Sequence, residues 1–302
     1  MGSALPFVSV IIPALNEEQN IRECLVSLLK MDYPPERREI LVVDNGSTDG
    51  TAKIVQEYPV TLLQEERRGA SYARNRGIEA CKGEILAFTD TDCVVTNRWL
   101  RELVQGFEDG EIGGVEGETL AYLPVTPVEH YMEGTSDFNY QVRISKPFDP
   151  FVVTANVAFR REVFHRIGLF DTRFPAAGGE DVDFSWRFLE ETDLKLRYNP
   201  KAVVFHRHRS TVWGFFSQYM RYGRAGAILQ EKYPERLPWT WWEELFAWRD
   251  VARWVWPGTR AALNYGLNRD KKKEAHYPYF TLLKKLASRI GFLRGRVGRG
   301  YR

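Results

Sequence analysis

Two aspartates, Asp90 and Asp92, stand in the stretch ILAFTDTDCVV, directly after the apolar run Ile85 to Phe88. A run of this kind that stops at charged residues reads as a buried strand ending at a polar site. Residues i and i+2 of an extended backbone share a face, so both carboxylates aim at one place, and like charges held together repel unless a cation lies between them. Oxygen ligands favour Mg2+ or Mn2+, which keep waters and take phosphate oxygens, so the partner expected here is a phosphorylated molecule. The alternative is that both aspartates cap a helix starting near Asn97.

Two further clusters carry chemistry. Gly178-Gly179-Glu180-Asp181 puts an acidic pair at the start of a helix expected over Val182 to Glu191, with Trp186 and Arg187 on the next turn. A carboxylate there either takes a proton from a reacting hydroxyl or stabilises the helix N-terminus. His206-Arg207-His208-Arg209 follows a strand-like piece at Ala202 to Phe205. Histidines at i and i+2 face one site, and neutral imidazole is a good Mn2+ ligand. Asn156, inside the strand-like run Phe151 to Phe159, is either a pocket contact or a buried amide satisfied by backbone.

The elements that must position these groups alternate. Val8 to Ile12 reads as a strand closed by Pro13, and Asn16 as the cap of a helix bearing Ile21, Leu25, Leu28 and Leu29. Strands at Glu39 to Val43, Val60 to Leu63 and Ile85 to Phe88 are interleaved with helices through Ile54-Val55 and from Gly69. Ile112 to Val115 and Leu196 to Tyr198 add shorter strands. The pattern predicts an α/β fold with a mostly parallel, Rossmann-like sheet flanked by helices. Ligands in such sheets bind at the carboxyl ends of the strands, where Asn16-Glu17, Asp44 to Asp49 and Asp90-Thr91-Asp92 lie. Neither G-x-G-x-x-G after the first strand nor G-x-x-x-x-G-K-[ST] occurs, which argues against a dinucleotide site and a P-loop. Arg67, Arg68 and Arg74 are candidate cations for the phosphates.

VSVIIPALNEEQNIRECLVSLL, ILVVDNGSTDGT and GASYARNRGIEACKGEILAFTDTD, in this order, resemble the nucleotide-binding half of the family 2 glycosyltransferases, inverting enzymes of GT-A fold. The resemblance implies a nucleoside-diphosphate sugar donor. Pro13, Ala14, Leu15, Asn16 and Glu17 would hold base and ribose, Asp44 the base, and Gly69 and Arg74 the base or diphosphate. Asp92 would bind the metal, with Asp90 toward the ribose or the same ion and Thr91 between them. Asp181, paired with Glu180, would be the general base. Asn156, Trp186 and Arg187 would line the sugar or acceptor pocket. His206 or His208 would complete the metal site, and Arg207 or Arg209 would neutralise the departing diphosphate.

The expected domains are a catalytic one at 1–233, with a nucleotide-binding half at 1–95 and an acceptor half at 96–233, and a helical extension at 234–302. From Val251 onward 13 Lys and Arg face 2 Asp and Glu, a net charge of +11, against −9 for the rest. Six of the nine tryptophans fall between Trp239 and Trp256. Tryptophan with flanking cations suits a helix lying on an anionic membrane surface, the alternative being packing on the catalytic domain or a partner; nucleic acid is the weaker option for want of a motif. Three cysteines without metal spacing, no long apolar run and no secretion signal point to a cytoplasmic protein, peripheral at the inner face of the membrane if the tail binds lipid. The acceptor class stays open among lipid-linked, glycan, peptide and small molecule. Competing readings are a haloacid-dehalogenase-like phosphatase, whose D-x-D-x-[TV] motif normally opens its domain, and an inactive GT-A-like module that recruits a partner.

Overall fold

The computed structural model describes residues 5–135, 138, 150–174, 178–238, 240–266 and 273–297. It divides into two compact units, one built from 1–122 and 136–207, the other from 123–135 and 208–302.

The first unit is organised on a sheet of β1 (Val8–Ala14), β2 (Arg38–Asp44), β3 (Thr61–Gln64), β4 (Ile85–Thr89), β5 (Cys93–Val95), β6 (Ile112–Ala121), β7 (Asn156–Arg160) and β8 (Lys195–His206). Their spatial order is β3-β2-β1-β4-β7-β6-β8-β5. The four strands of the N-terminal half are parallel. Beyond them the sheet is mixed, because β7 runs antiparallel to both neighbours and β5 antiparallel to β8, while β6 and β8 are parallel. Successive residues of β1 and β4 serve opposite faces. Val8, Val10, Ile12, Ile85 and Ala87 join one core with Ile21, Leu25 and Leu28 of α1 (Ile21–Leu29), whereas Ile11, Leu86 and Phe88 join another. Burial on both faces explains why these strands read as unbroken apolar runs.

The other helices of this unit are α2 (Thr51–Val55), α3 (Ala70–Ala80), α4 (Trp99–Gln105), α6 (Arg161–Ile167) and α7 (Glu180–Glu191). Several boundaries differ from expectation for local reasons. Pro13 does not close β1: it pairs with Val43 of β2 and lies beyond the last β1–β4 rung, Ile11 with Phe88, so its missing N–H costs no rung there. Asn16 does not cap α1, which starts five residues later; it takes a positive φ of 55° and its Oδ1 accepts the Thr48 N–H at 2.8 Å. The two strand pieces at 196–198 and 202–205 are one strand, β8, irregular opposite Gly117 and Glu118. A Cβ on Gly117 would lie 2.0 Å from the Ala202 carbonyl oxygen, so only glycine fits at that irregularity. The run from Phe151 enters the sheet only at Asn156.

The second unit holds α5 (Pro127–Thr135), α8 (Val212–Lys232), α9 (Trp241–Gly266) and α10 (Tyr277–Val297). Val128, Tyr131 and Met132 of α5 share a core with Phe215, Tyr219, Phe280 and Ala287. α8 and α10 meet backbone to backbone, since a Cβ on Gly223 would fall 2.0 Å from the Ser288 oxygen and one on Gly291 2.1 Å from the Met220 oxygen. That contact groups α8 with the C-terminal helices, ahead of the 233/234 boundary read from the prolines. The segment expected to be irregular, Tyr122 to Pro150, contains α5, and its remainder apart from Phe138 lies largely outside the described residues, as do Trp239, Lys271 and Lys272. Among the described residues no helix is long and apolar enough to cross a membrane.

Asn156 ties the mixed half together. Its Oδ1 accepts the Trp99 Nε1–H at 2.7 Å, and its Nδ2 donates to the Glu118 and Ala202 carbonyls at 2.8 and 2.9 Å. Asn156→Ala strands three partners, two of them in fully buried hydrogen bonds, and is expected to cost about 3 kcal/mol, read as a lower urea midpoint at unchanged m value; a loss below about 1 kcal/mol would contradict this role.

Candidate active site

Antiparallel pairing of β5 with β8 sets Cys93 opposite His206, and the Arg207 N–H donates to the Asp92 carbonyl at 2.9 Å. This register brings His206 Nε2 to 3.4 Å from Asp92 Oδ1. Asp92, Cys93 and His206 thereby present ligand atoms within 4.8 Å of one another. His206 is buried and stacks on Phe138 at 4.2 Å between centroids. Burial, reinforced by the charges of Asp92 and Asp90, pushes the Cys93 thiol well above its ordinary range, so it stays neutral and is a poor ligand for a hard cation. One carboxylate and one imidazole form a donor set that suits Mn2+ better than Mg2+. His208 belongs to the helical unit.

The i, i+2 expectation for Asp90 and Asp92 is altered by the chain itself. β4 ends at Thr89 and a turn at Thr91-Asp92 precedes β5, so the two carboxylates engage different partners. Asp92 meets His206. Asp90 meets Arg74, whose Nη2 donates to Asp90 Oδ1 at 2.9 Å while Nη1 donates to Glu180 Oε1 at 2.8 Å. Arg74 lies on α3 and is 2% exposed, and Glu180 is 1% exposed, so the guanidinium is a buried bridge between the D-x-D and the acidic pair. The second Glu180 oxygen accepts the Gly178 N–H at 2.7 Å. Gly178 and Gly179 take φ of 123° and 94°, which side-chain-bearing residues rarely adopt, and this turn delivers Glu180 into the bridge at the start of α7.

Asp181 is the next residue and is partly accessible. Desolvation and the charge of Glu180 push its carboxyl up to about 7, against the opposing pull of Arg74. Such a group is half-ionised near neutrality and can accept a proton.

The strand-end loops are laced to one another. Asn16 N donates to Ser47 Oγ at 2.9 Å, Glu17 N to Thr51 Oγ1 at 2.7 Å and Glu18 N to Asp49 Oδ2 at 3.2 Å. Pro13 and Ala14 end β1 beneath them, Leu15 is exposed, and Asp44 is buried with Oδ1 accepting the Ser47 N–H at 3.2 Å. Asn45, not singled out in the sequence, fixes the next loop: its Nδ2 donates to the Glu65 and Arg67 carbonyls, and its Oδ1 accepts the Gly69 N–H at 2.7 Å. Its only sequence signal is an amide directly after a strand and before glycine. Gly69, at φ 140°, then starts α3 and so aims Arg74.

Other candidates have structural partners. Asn156 is the buried amide of the β6–β8 irregularity, and Trp186 is buried. Arg187 donates to Asp183 and to the Ile167 and Leu169 carbonyls and lies over the Phe184 ring. Arg67 pairs with Glu65, Arg68 donates to the Gly46 carbonyl, and Arg207 pairs with Glu23 over the Tyr122 ring. Arginine's several donors make it a good latch for loops, which its type alone does not separate from a phosphate ligand.

The profile of Glycosyl transferase family 2 matches residues 9–168, more than half of the 302-residue chain, and the chain belongs to that family. It is 37% identical over 195 residues to the glycosyltransferase AglE of Haloferax volcanii, covering 62% of each chain. It is 28% identical over 249 residues to the Methanococcus voltae dolichyl N-acetyl-alpha-D-glucosaminyl phosphate 3-beta-D-2,3-diacetamido-2,3-dideoxy-beta-D-glucuronosyltransferase, covering 75% of this chain and 74% of the relative. The chain thus spans less than two thirds of the length of AglE. Among solved structures, mannosyltransferase PcManGT from Pyrobaculum calidifontis, in complex with GDP-Man and Mn2+, superposes with a TM-score of 0.63 at 24% identity, over 96% of this chain and 88% of that one. GalNAc-T7 with UDP, GalNAc and Mn2+ gives 0.57 at 22% identity, over 74% of this chain and 48% of that one. The fold is GT-A, and the family assignment displaces the phosphatase reading.

A carboxyl raised in the folded state binds a proton that the unfolded state has released, so stability falls as pH rises from about 4 to about 7 and the difference is flat above. Asp181→Asn lacks this titration. Relative to wild type it is expected to gain about 1.4 kcal/mol per pH unit across that window, measured by urea unfolding at several pH values; a constant difference would show that Asp181 titrates normally.

Proposed function

We propose that this family 2 member moves a sugar from a nucleoside-diphosphate sugar to an acceptor hydroxyl with inversion, assisted by Mn2+ or Mg2+. The observation that carries the reading is the Arg74 bridge, which joins Asp90 of the D-x-D to Glu180 beside Asp181. It supports a single site in which the metal end and the base end are held together.

Asp92 and His206 would hold the cation, with Asp90 toward the ribose or the same ion. Once bound, the metal would act as a Lewis acid on the leaving diphosphate. Pro13 to Glu17 and Asp44 would hold base and ribose, and the Gly69 turn would approach the base or diphosphate. Asp181 would take the acceptor proton as the hydroxyl attacks opposite the leaving group, and a carboxyl near 7 suits that task at neutral pH. One carboxylate serves inversion, since no covalent intermediate needs a second nucleophile. The solved neighbours that contain GDP-Man or UDP with Mn2+ favour a nucleotide-sugar donor and a divalent metal. A relative named for a dolichyl phosphate-linked acceptor favours a lipid-linked acceptor, and such an acceptor would be met at the cytoplasmic face of a membrane.

A panel of nucleoside diphosphates and sugar nucleotides, with and without Mn2+, tests the donor half by thermal shift. A ligand at a hundred times its dissociation constant stabilises by about 2.7 kcal/mol. One donor is expected to act only with metal, and Asp92→Asn to abolish the effect. Asp181→Asn should still bind donor but lose transfer by at least about a hundredfold. No metal-dependent donor in the panel would overturn the reading.

A further inference from the structure

α9 carries an outward face that the rest of the helical unit does not use. Its inward positions, Ala247, Val251, Trp254, Gly258, Ala261 and Tyr265, recur at steps of three and four and are buried or half-buried. Gly258 marks the seam with α10, where an added Cβ would lie 2.7 Å from a Leu282 methyl. On the opposite side, within about 100° of arc on an ideal helix, stand Trp242, Leu245, Phe246, Trp256 and Leu263. They are 50%, 50%, 49%, 77% and 66% exposed, far more than packing residues tolerate.

The charges on that face have one sign. Arg249, Arg253 and Arg260 interleave with the apolar side chains, and none of the three forms an ion pair among the described residues. The acids of α9 are all spent elsewhere: Glu243 accepts from Thr240 at the helix start, Glu244 pairs with Arg289, and Asp250 pairs with Lys285 of α10. The Arg249 guanidinium carbon lies over the Phe246 ring, 5.0 Å from its centroid, so cation and aromatic face share the same patch. The helix is 26 residues long, yet no described helix is apolar enough to cross a bilayer.

An apolar stripe studded with arginine and free of acid complements a surface that is greasy below and anionic above. The geometry points to α9 as a membrane-docking helix that lies in the plane of an anionic lipid bilayer, with Trp242 and Trp256 inserted at the level of the acyl boundary and the three arginines on lipid phosphates. This goes beyond the transfer reaction and does not depend on it. A second copy of the chain would set arginine against arginine across this face, a juxtaposition of like charges that costs several kcal/mol.

The full chain is tested by co-sedimentation with vesicles of phosphatidylcholine alone or enriched in phosphatidylglycerol, with tryptophan emission followed in parallel. Binding is expected with the anionic vesicles, accompanied by a blue shift and weakened by salt. Trp242→Glu combined with Trp256→Glu should lower the partition coefficient at least about tenfold. Arg249→Gln, Arg253→Gln and Arg260→Gln together should remove most of the preference for anionic lipid, at roughly fivefold per arginine. Circular dichroism and thermal unfolding keep the variants comparable to the folded wild type. Absence of partitioning by a folded wild-type chain, or equal partitioning of the tryptophan double variant, overturns the proposal. So does a concentration-dependent dimer, seen by analytical ultracentrifugation, that the same tryptophan substitutions dissolve.

Discussion

A buried guanidinium between two carboxylates holds the site of this protein together. Arg74 reaches from α3 to Asp90 at the end of β4 and to Glu180 at the start of α7, residues separated from it by 16 and 106 positions in the chain. Removing Arg74 from this trio leaves the buried Glu180 carboxylate without a counter-charge, at a cost of about 3 to 5 kcal/mol. The bridge therefore fixes how far the D-x-D turn stands from the acidic pair. It also supplies the positive charge that restrains Asp181, which burial and Glu180 would otherwise push higher. Gly69 and Asn45 on one side, and Gly178 and Gly179 on the other, set the turns that let the three groups meet.

The Asp92–His206 end of the site depends on a different constraint, strand register. β5 is three residues long and pairs with the end of β8, which is what brings His206 to Asp92. A shift of one residue would present Cys93 or Arg207 in the wrong sense, because side chains alternate across a strand. The irregularity at Gly117 and Ala202, stitched by Asn156, lies upstream in β8 and helps to set that register. Side chains far from the chemistry thus carry its geometry.

Much of this was legible in the sequence where local pattern decides. The apolar runs of β1, β2 and β4 are buried on both faces, so they announced themselves, and the polar residues that follow each run marked the strand ends that carry the loops. The family resemblance, carried by those same segments, agrees with the profile match over 9–168. Legibility failed where a residue's partner is distant. Nothing near Arg74 reveals that its guanidinium is divided between Asp90 and Glu180, and nothing near Asn156 decides between a pocket and a backbone irregularity. Asn16 reads as a helix cap by type, yet its loop conformation is set by Thr48, 32 residues away. Glu244 and Asp250 of α9 look like ordinary helix charges until their partners on α10 are known, and only then does its outer face appear free of acid.

A double-mutant cycle in urea denaturation on Arg74→Met and Glu180→Gln tests the bridge most directly. If the guanidinium holds the acidic pair to the D-x-D turn, the two substitutions are strongly non-additive, with a coupling of about 2 kcal/mol or more. Additivity to within about 0.5 kcal/mol would mean that Arg74 and Glu180 act independently, and the site would have to be held together by something else.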